Sequence, residues 1–163
     1  MKYAQIRNLD VANGSGIGCT LFVSGCDFHC PSCFNQEYQD FNYGQLWNRR
    51  VETQFLEMCK NPQIDHISIL GGEPLQQDVS LYFLLMKLHH DIKKPIWLWT
   101  GYTWEEIVKG DKKYLLNYID ILVDGRFVES QKDLRLAYRG SKNQRVIDVQ
   151  ESIKKGEVVL WKI

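Results

Sequence analysis

The sequence predicts an α/β fold in which a mostly parallel sheet forms a partial, open β/α barrel. Short apolar runs rich in β-forming residues alternate with helical patterns, the order that β/α units around parallel strands produce. The chain has 163 residues, whereas a complete eight-fold barrel needs about 250. Since no repeat, linker or change of composition marks a boundary, residues 1–163 are predicted to form a single domain.

Six runs are the predicted strands, at residues 20–24, 66–70, 96–100, 119–123, 145–149 and 158–161. Three apolar stripes with helical spacing separate the first four runs. The stripes contain Leu46, Trp47, Val51, Phe55, Met58 and Cys59, then Val79, Tyr82, Phe83 and Met86, then Trp104, Ile107, Val108, Leu115 and Tyr118. The last two runs, separated by residues 150–157, are predicted to close the fold as a C-terminal antiparallel hairpin.

Composition restricts the class of protein. Twenty Lys and Arg balance twenty Asp and Glu, and the lysine pairs are scattered, which argues against a nucleic-acid-binding surface. The N-terminus has no apolar signal region, and no apolar run reaches the ~18 residues that span a bilayer. We therefore expect a soluble, cytoplasmic protein that binds neither nucleic acid nor membrane.

Three of the five cysteines lie in one short loop after the first predicted strand, with the spacing Cys26-x3-Cys30-x2-Cys33. Soft thiolates suit zinc or an iron–sulfur cluster, and not magnesium or calcium. A structural zinc site needs a fourth ligand, which His29 or Cys19 could supply, but no second ligand pair follows downstream. The loop is predicted to bind a metal, with zinc as the alternative to iron–sulfur.

Further unusual residues follow the next three predicted strands. They are Gly71-Gly72-Glu73-Pro74, Trp99-Thr100-Gly101-Tyr102 and Asp124-Gly125-Arg126-Phe127. Because parallel strands end at the same edge of a sheet, where β/α enzymes build their sites, we expect these turns to lie beside the cysteine loop.

The cysteine loop, together with Gly71-Gly72-Glu73-Pro74, resembles the signature of the radical S-adenosylmethionine (SAM) enzymes. The resemblance implies a radical-SAM (β/α) barrel that carries one [4Fe-4S] cluster on Cys26, Cys30 and Cys33 and leaves one iron open for SAM. In that family the glycines let the backbone approach the methionine amino group, which also hydrogen-bonds to the acidic side chain. Ser32 stands where many members have an aromatic residue. The predicted SAM contacts are Ser32, Cys33, Phe34, Gly71, Gly72, Glu73, Pro74 and Thr100.

Three segments narrow the resemblance, at residues 99–102, 120–127 and 139–145. Together they are similar to the anaerobic ribonucleoside-triphosphate reductase activating proteins, over almost the whole chain. The resemblance implies an oxidoreductase that cleaves SAM by one-electron reduction and removes a hydrogen atom from a glycine of the large reductase subunit, which leaves a glycyl radical. It also implies a flavodoxin-type or other low-potential electron donor. We predict no catalytic residue beyond the cluster and SAM ligands.

Several alternatives stay open. The substrate could be another glycyl radical enzyme or a small molecule such as a deazapurine precursor, and a zinc-stapled binding module would need no catalysis. Cys19 and Cys59 are expected to pack in the core, and His29 to be solvated or to lie behind the ligands. Asp124 and Arg139 are interpreted either as structural residues of turns and ion pairs or as cofactor or partner contacts.

Overall fold

The computed structural model describes residues 1–162 and builds them around one open, seven-stranded sheet. In the described range the strands are β1 (Lys2–Asp10), β2 (Gly18–Ser24), β3 (Gln45–Leu46), β4 (His66–Gly71), β5 (Ile96–Trp99), β6 (Ile121–Asp124) and β7 (Arg145–Asp148). Their order in the sheet is β3-β1-β2-β4-β5-β6-β7. The predicted α/β class and open sheet are confirmed, whereas curvature into a radical-SAM barrel stays a prediction.

The four central strands are parallel and the edges are antiparallel. β2, β4, β5 and β6 pair in parallel, while β1 and β3 add antiparallel strands at one edge and β7 adds one at the other. The helices between them are α1 (Arg49–Cys59), α2 (Val79–Lys87) and α3 (Trp104–Lys109), and α4 (Val149–Lys155) follows β7. Shorter 3₁₀ segments lie at Gln36–Gln39, Pro74–Gln76, Lys113–Tyr118 and Glu129–Gln131, and a π-helical turn at Leu88–Ile92.

Alternation along the strands gives the two sheet faces different partners. One face packs against the helices, and the main core there includes Leu21, Ile69, Leu98, Leu122, Phe55 and Leu84. The other face has a smaller cluster around Trp97, Ile121, Val123 and Val146, with Trp99, Tyr138 and Trp161 packed against it. The second face therefore has less apolar cover, and the site described below lies at its end.

The first predicted stripe begins too early. The Asn48 side chain accepts hydrogen bonds from the backbone nitrogens of Arg50 and Val51, at 3.0 and 3.1 Å, and so starts α1. Leu46 therefore lies in β3 and is exposed, whereas Trp47 is buried ahead of the helix. A side chain that accepts from the first free N–H groups decides where a helix starts, and apolar periodicity does not report it.

The second stripe identifies the wrong face of α2. Val79 and Phe83 are exposed, while Leu81, Leu84 and Leu85 are buried. Nearly every residue from Val79 to Met86 is apolar, so periodicity alone could not select the buried side. The third predicted helix is also divided, because α3 ends at Lys109, before Gly110, and a 3₁₀ segment begins at Lys113.

The ends of the chain contain two more differences. β1 was not predicted, since its sequence is mostly polar and only Tyr3 and Asp10 are buried. At the other end, the Asp148 side chain caps α4, so Val149 belongs to a helix and the predicted hairpin loop is helical. The antiparallel contact itself is present as a single bridge between Ile147 and Leu160.

No helix in residues 1–162 is both long and apolar enough to cross a membrane.

Two phenylalanines, one in α1 and one in α2, test which side of each helix is buried. Phe55 of α1 is 0% exposed and Phe83 of α2 is 46% exposed. We expect Phe55→Ala to lower the free energy of unfolding by about 3–5 kcal/mol, because it leaves a core cavity, and Phe83→Ala to lower it by less than about 1 kcal/mol. Urea denaturation measures both; equal losses would contradict the assignment.

Candidate functional site

The cysteine loop, residues 26–33, follows β2 and contributes to a cavity of about 480 Å³. Cys26, Cys30 and Cys33 are half-buried, and all three line the cavity. Other parts of the wall come from residues that follow β4, β5 and β6. The expected meeting of these strand ends at one edge is therefore found in the structure.

Two residues of the cysteine loop adopt left-handed backbone conformations without being glycine. The φ angle is +47° at His29 and +56° at Ser32. The backbone N–H of Cys33 donates to the carbonyl of Cys30 at 3.3 Å, which closes a tight turn between the second and third cysteines. Such conformations cost about 1–3 kcal/mol each and concentrate at functional sites.

Most of the predicted SAM contacts line this cavity, namely Cys33, Phe34, Gly71, Gly72, Glu73 and Thr100. Two predicted contacts lie elsewhere. Ser32 is exposed on the loop, and Pro74 is buried at the start of the 3₁₀ turn that follows β4. Most of the residues chosen from the sequence therefore lie around one cavity. The direction of individual side chains within a turn depends on backbone angles that the sequence pattern does not report.

Three thiols facing one cavity fit an iron–sulfur cubane, in which each thiolate binds a separate iron. Within residues 1–162, no group of three His, Cys, Asp or Glu side chains is placed to hold a single metal ion. Burial raises the pKa of the Cys26 thiol to about 11, and burial together with the neighbouring Cys33 raises the pKa of Cys30. The raised pKa values favour the protonated thiols, so a bound metal cation would be what stabilises thiolates at these positions.

The glycine-rich turn, residues 71–74, packs against the end of β2. A Cβ on Gly71, whose φ is +121°, would lie 2.4 Å from the carbonyl oxygen of Val23. A Cβ on Gly72 would lie 2.5 Å from the carbonyl oxygen of Gly25. The close approach of neighbouring backbone already requires both glycines, so their presence needs no ligand to explain it.

Glu73 joins the turns that follow β4 and β5. Its side chain is 1% exposed and accepts hydrogen bonds from the Thr100 hydroxyl at 2.7 Å, the Gly101 amide at 2.7 Å and the Leu75 amide at 2.8 Å. Burial raises the pKa of this carboxyl to about 7, although the hydrogen bonds oppose the shift. The carboxylate that the resemblance assigned to SAM therefore also has a structural role.

Phe28 is a wall residue that sequence reasoning missed. Its ring lies 4.7 Å from that of Tyr102, centroid to centroid, and the Arg126 guanidinium lies 4.3 Å from its centroid. A Cβ on Gly101 would lie 2.5 Å from this ring. Phe28 thus packs the cysteine loop against the turns after β5 and β6. A lone aromatic residue within an otherwise polar loop was the available signal.

Phe34 connects the cysteine loop to the long segment between β6 and β7. Its side chain is 57% exposed, its ring lies 5.0 Å from that of Phe127, and the Lys132 ammonium lies 5.2 Å from its centroid. A Cβ on Gly140 would lie 2.7 Å from the Phe34 ring. The segment between β6 and β7 thereby packs beside the third cysteine.

The cavity extends to Arg7 of β1 and to Asn13 in the loop between β1 and β2. The Asn13 carbonyl accepts hydrogen bonds from the His66 ring and the Ser68 hydroxyl, each at 2.7 Å. A Cβ on Gly14 would lie 2.2 Å from the His66 ring. The β1–β2 loop is therefore fixed on the polar part of the second sheet face.

Asp124 has a structural environment. It is buried and accepts hydrogen bonds from the Trp104 amide at 2.7 Å and from Arg145 Nε at 3.0 Å. Arg145 also pairs with Glu105 at 2.8 Å, and these two carboxylates raise the pKa of Arg145. The network ties the start of α3 to β6 and β7, which agrees with the interpretation of Asp124 as a turn and helix-start residue.

Arg139 lines the cavity, and its Nη1 donates to the carbonyl of Gln144 at 2.8 Å.

Cys19 and Cys59 are fully buried in the main core. His29 is exposed, and its Nδ1 lies 3.3 Å from the Gln39 side-chain oxygen. Packing of the two outlying cysteines and a solvated His29 are therefore as expected.

A comparison with protein-family models matches residues 12–147 to the 4Fe-4S single cluster domain. The match spans the cysteine loop and strands β2, β4, β5 and β6, whose ends meet at the cavity. It favours the iron–sulfur interpretation of the three cysteines over the zinc alternative.

Several curated proteins similar to the chain have one name, anaerobic ribonucleoside-triphosphate reductase-activating protein. The Salmonella typhi protein is 38% identical over 151 residues, covering 90% of this chain and 97% of the relative. The Haemophilus influenzae protein is 39% identical over 149 residues, with 88% and 96% covered. The protein of Enterobacteria phage T4 is 31% identical over 150 residues, with 90% and 93% covered.

Two threonines test the role of the Glu73 carboxylate. Thr100→Val removes a donor to a buried carboxylate, so we expect the free energy of unfolding to fall by about 1–3 kcal/mol. In the control Thr53→Val, the hydroxyl lost is exposed and donates to the Arg49 carbonyl, and the change should stay within about 0.5 kcal/mol. Denaturant titration of both variants decides; similar losses would show that the Thr100 contact is unimportant.

Proposed function

The chain belongs to the 4Fe-4S single cluster domain family and to the anaerobic ribonucleoside-triphosphate reductase-activating proteins, and from this premise we propose a radical SAM activase. It activates the reductase by reductive cleavage of SAM at one [4Fe-4S] cluster and by removal of a hydrogen atom from a glycine of the large subunit. The observation that supports this best is that Cys26, Cys30 and Cys33 share one cavity with Gly71–Glu73 and Thr100.

Cys26, Cys30 and Cys33 would hold the cluster as thiolates. When bound, the cluster would supply one electron for the cleavage of SAM, which releases methionine and supplies the chemistry that removes a hydrogen atom from the glycine. The residues of the chain position these groups and exclude competing hydrogen donors. Phe28 and Phe34 cover the sides of the cysteine loop with aromatic surface, which suits a site that must keep water and stray donors away.

The glycine-rich turn would receive the methionine end of SAM. Gly71, Gly72 and Glu73 line the cavity, and the buried Glu73 carboxylate fixes the Thr100 hydroxyl beside them. Phe34 and Cys33 extend the same wall. Because their positions are set by packing and hydrogen bonds within the chain, the subsite is ordered before any ligand binds.

The wider context of the activity belongs to the same proposal. The electron comes from a flavodoxin-type or other low-potential donor, the reaction takes place in the cytoplasm, and residues 1–163 act as a single domain. The partners are the reductase and this donor, without nucleic acid or membrane.

Cysteine variants test the cluster ligands. After anaerobic reconstitution with iron and sulfide, Cys26→Ala, Cys30→Ala and Cys33→Ala should each lose most of the bound iron, because the cluster needs all three thiolates. Cys59→Ala is the matched control, since Cys59 is fully buried in the core, and it should keep wild-type iron. Iron content and iron–sulfur absorbance are the measurements. Full iron loading in any loop variant would refute the assignment.

A radical assay tests the substrate. The reconstituted chain, SAM, a reductant and the large subunit of an anaerobic ribonucleoside-triphosphate reductase should together give the electron paramagnetic resonance doublet of a glycyl radical. Omission of SAM, or use of Cys30→Ala, should abolish the doublet. SAM cleavage that never yields the doublet, but turns over a small molecule instead, would support the small-molecule alternative.

A further inference from the structure

Gln77 lies at a point where three backbone segments meet. It follows the 3₁₀ turn Pro74–Gln76 and is 6% exposed. Its carboxamide nitrogen donates to the carbonyl oxygens of Ser24 at 3.0 Å, Glu73 at 3.0 Å and Gly25 at 3.3 Å. One side-chain NH₂ group therefore serves acceptors from the end of β2, the start of the cysteine loop and the glycine-rich turn.

Two of these carbonyl groups, those of Ser24 and Gly25, belong to the backbone that leads directly into the first cysteine. Gly25 immediately precedes Cys26 and has a φ of +106°. Its amide donates to the Tyr38 carbonyl at 2.7 Å, and its carbonyl also accepts from the Glu73 amide at 2.8 Å. Three carbonyl dipoles that point at one place repel each other unless a donor lies between them, and the Gln77 nitrogen is that donor.

Gln76, the residue before Gln77, also connects the turn after β4 to the cysteine loop. The Gln76 side-chain oxygen accepts from the Asp27 amide at 2.7 Å, and its nitrogen donates to the Tyr102 hydroxyl at 3.2 Å. Two consecutive glutamines thus reach residues on both sides of Cys26. Of the two, Gln77 is the more buried and has the larger number of contacts to the loop entry.

We propose that Gln77 is a positioning residue, which fixes Cys26 relative to the glycine-rich turn by holding the carbonyls of Ser24, Gly25 and Glu73 together. It touches neither substrate nor cofactor; it acts through the backbone on either side. The inference rests on the proposed function, because it gives Cys26 the part of a cluster ligand. Its consequence is that the cluster loop and the proposed methionine subsite share one fixed frame.

The test uses Gln77→Met, which keeps the length of the side chain but has no donor. The control is Gln150→Met, because the Gln150 carboxamide also donates to backbone carbonyls, those of Leu116 and Ile119, at 3.1 and 2.7 Å. Gln150 does not line the cavity described above. Both variants lose side-chain hydrogen bonds to backbone carbonyls; Gln77 is buried and Gln150 is exposed, and only Gln77 donates beside the cysteine loop.

The first measurement is the rate of Cys26 alkylation by iodoacetamide in the full-length reduced chain before iron is added, followed by peptide mass spectrometry. Gln77→Met should raise this rate about tenfold, which corresponds to the loss of a typical buried hydrogen bond, while Gln150→Met should match wild type. Cys19 and Cys59 are internal controls, since both are 0% exposed. Faster alkylation of these two would indicate general unfolding and overturn a local role.

The second measurement follows the reconstituted protein. Gln77→Met should release iron to a chelator about tenfold faster than wild type and Gln150→Met. If wild type binds no iron, the proposed function fails, yet the alkylation rates still decide the role of Gln77. Unchanged Cys26 alkylation in a folded Gln77→Met would overturn the inference. Should that variant not fold, Gln77→Asn, which keeps the carboxamide on a shorter side chain, is measured against the same controls.

Discussion

The site depends on one buried carboxylate. Glu73 accepts hydrogen bonds from its own turn and from the turn after β5, and burial raises its pKa to about 7. A carboxylate without solvent is tolerated only when donors surround it, so the two turns must come together for the chain to fold with Glu73 inside. The residues that the resemblance assigns to a ligand are thus first of all residues that hold strand ends together.

This requirement explains the arrangement of the rest of the cavity. Backbone bonds from Gly72 to Val23 and from Glu73 to Gly25 fasten the glycine-rich turn to the end of β2, and the aromatic ring of Phe28 fastens the cysteine loop to the next two turns. The glycines are needed because backbone packs on backbone at these positions. Because backbone packs closely on backbone here, the three cysteine thiols are the soft, half-buried groups in the wall of the cavity.

One face of the sheet contributes most of the stability, and the other face contains the site. The face under the helices contains the main apolar core, whereas the other face combines a small aromatic cluster with polar groups such as His66 and Ser68, which bind the Asn13 carbonyl. A face that is incompletely covered by apolar side chains has space for a cavity, and the long segment between β6 and β7 covers part of it through the contact of Phe34 with Phe127. Buried apolar area under the helices compensates for the strained and polar backbone at the site.

The sequence by itself determined the α/β class, the four central strands and the cavity-lining motifs, because buried parallel strands are continuous apolar runs and the chemistry follows their ends. It could not determine β1, whose residues are mostly polar, or the buried face of α2, whose residues are apolar all round. Nor could it identify Gln77 or Phe28 as part of the site. Their roles arise from contacts between segments that are distant along the chain, 52 residues apart for Gln77 and Gly25. Only the tertiary structure brings such segments together, and hydrogen-bond geometry, rather than residue type, then decides which polar side chain holds them.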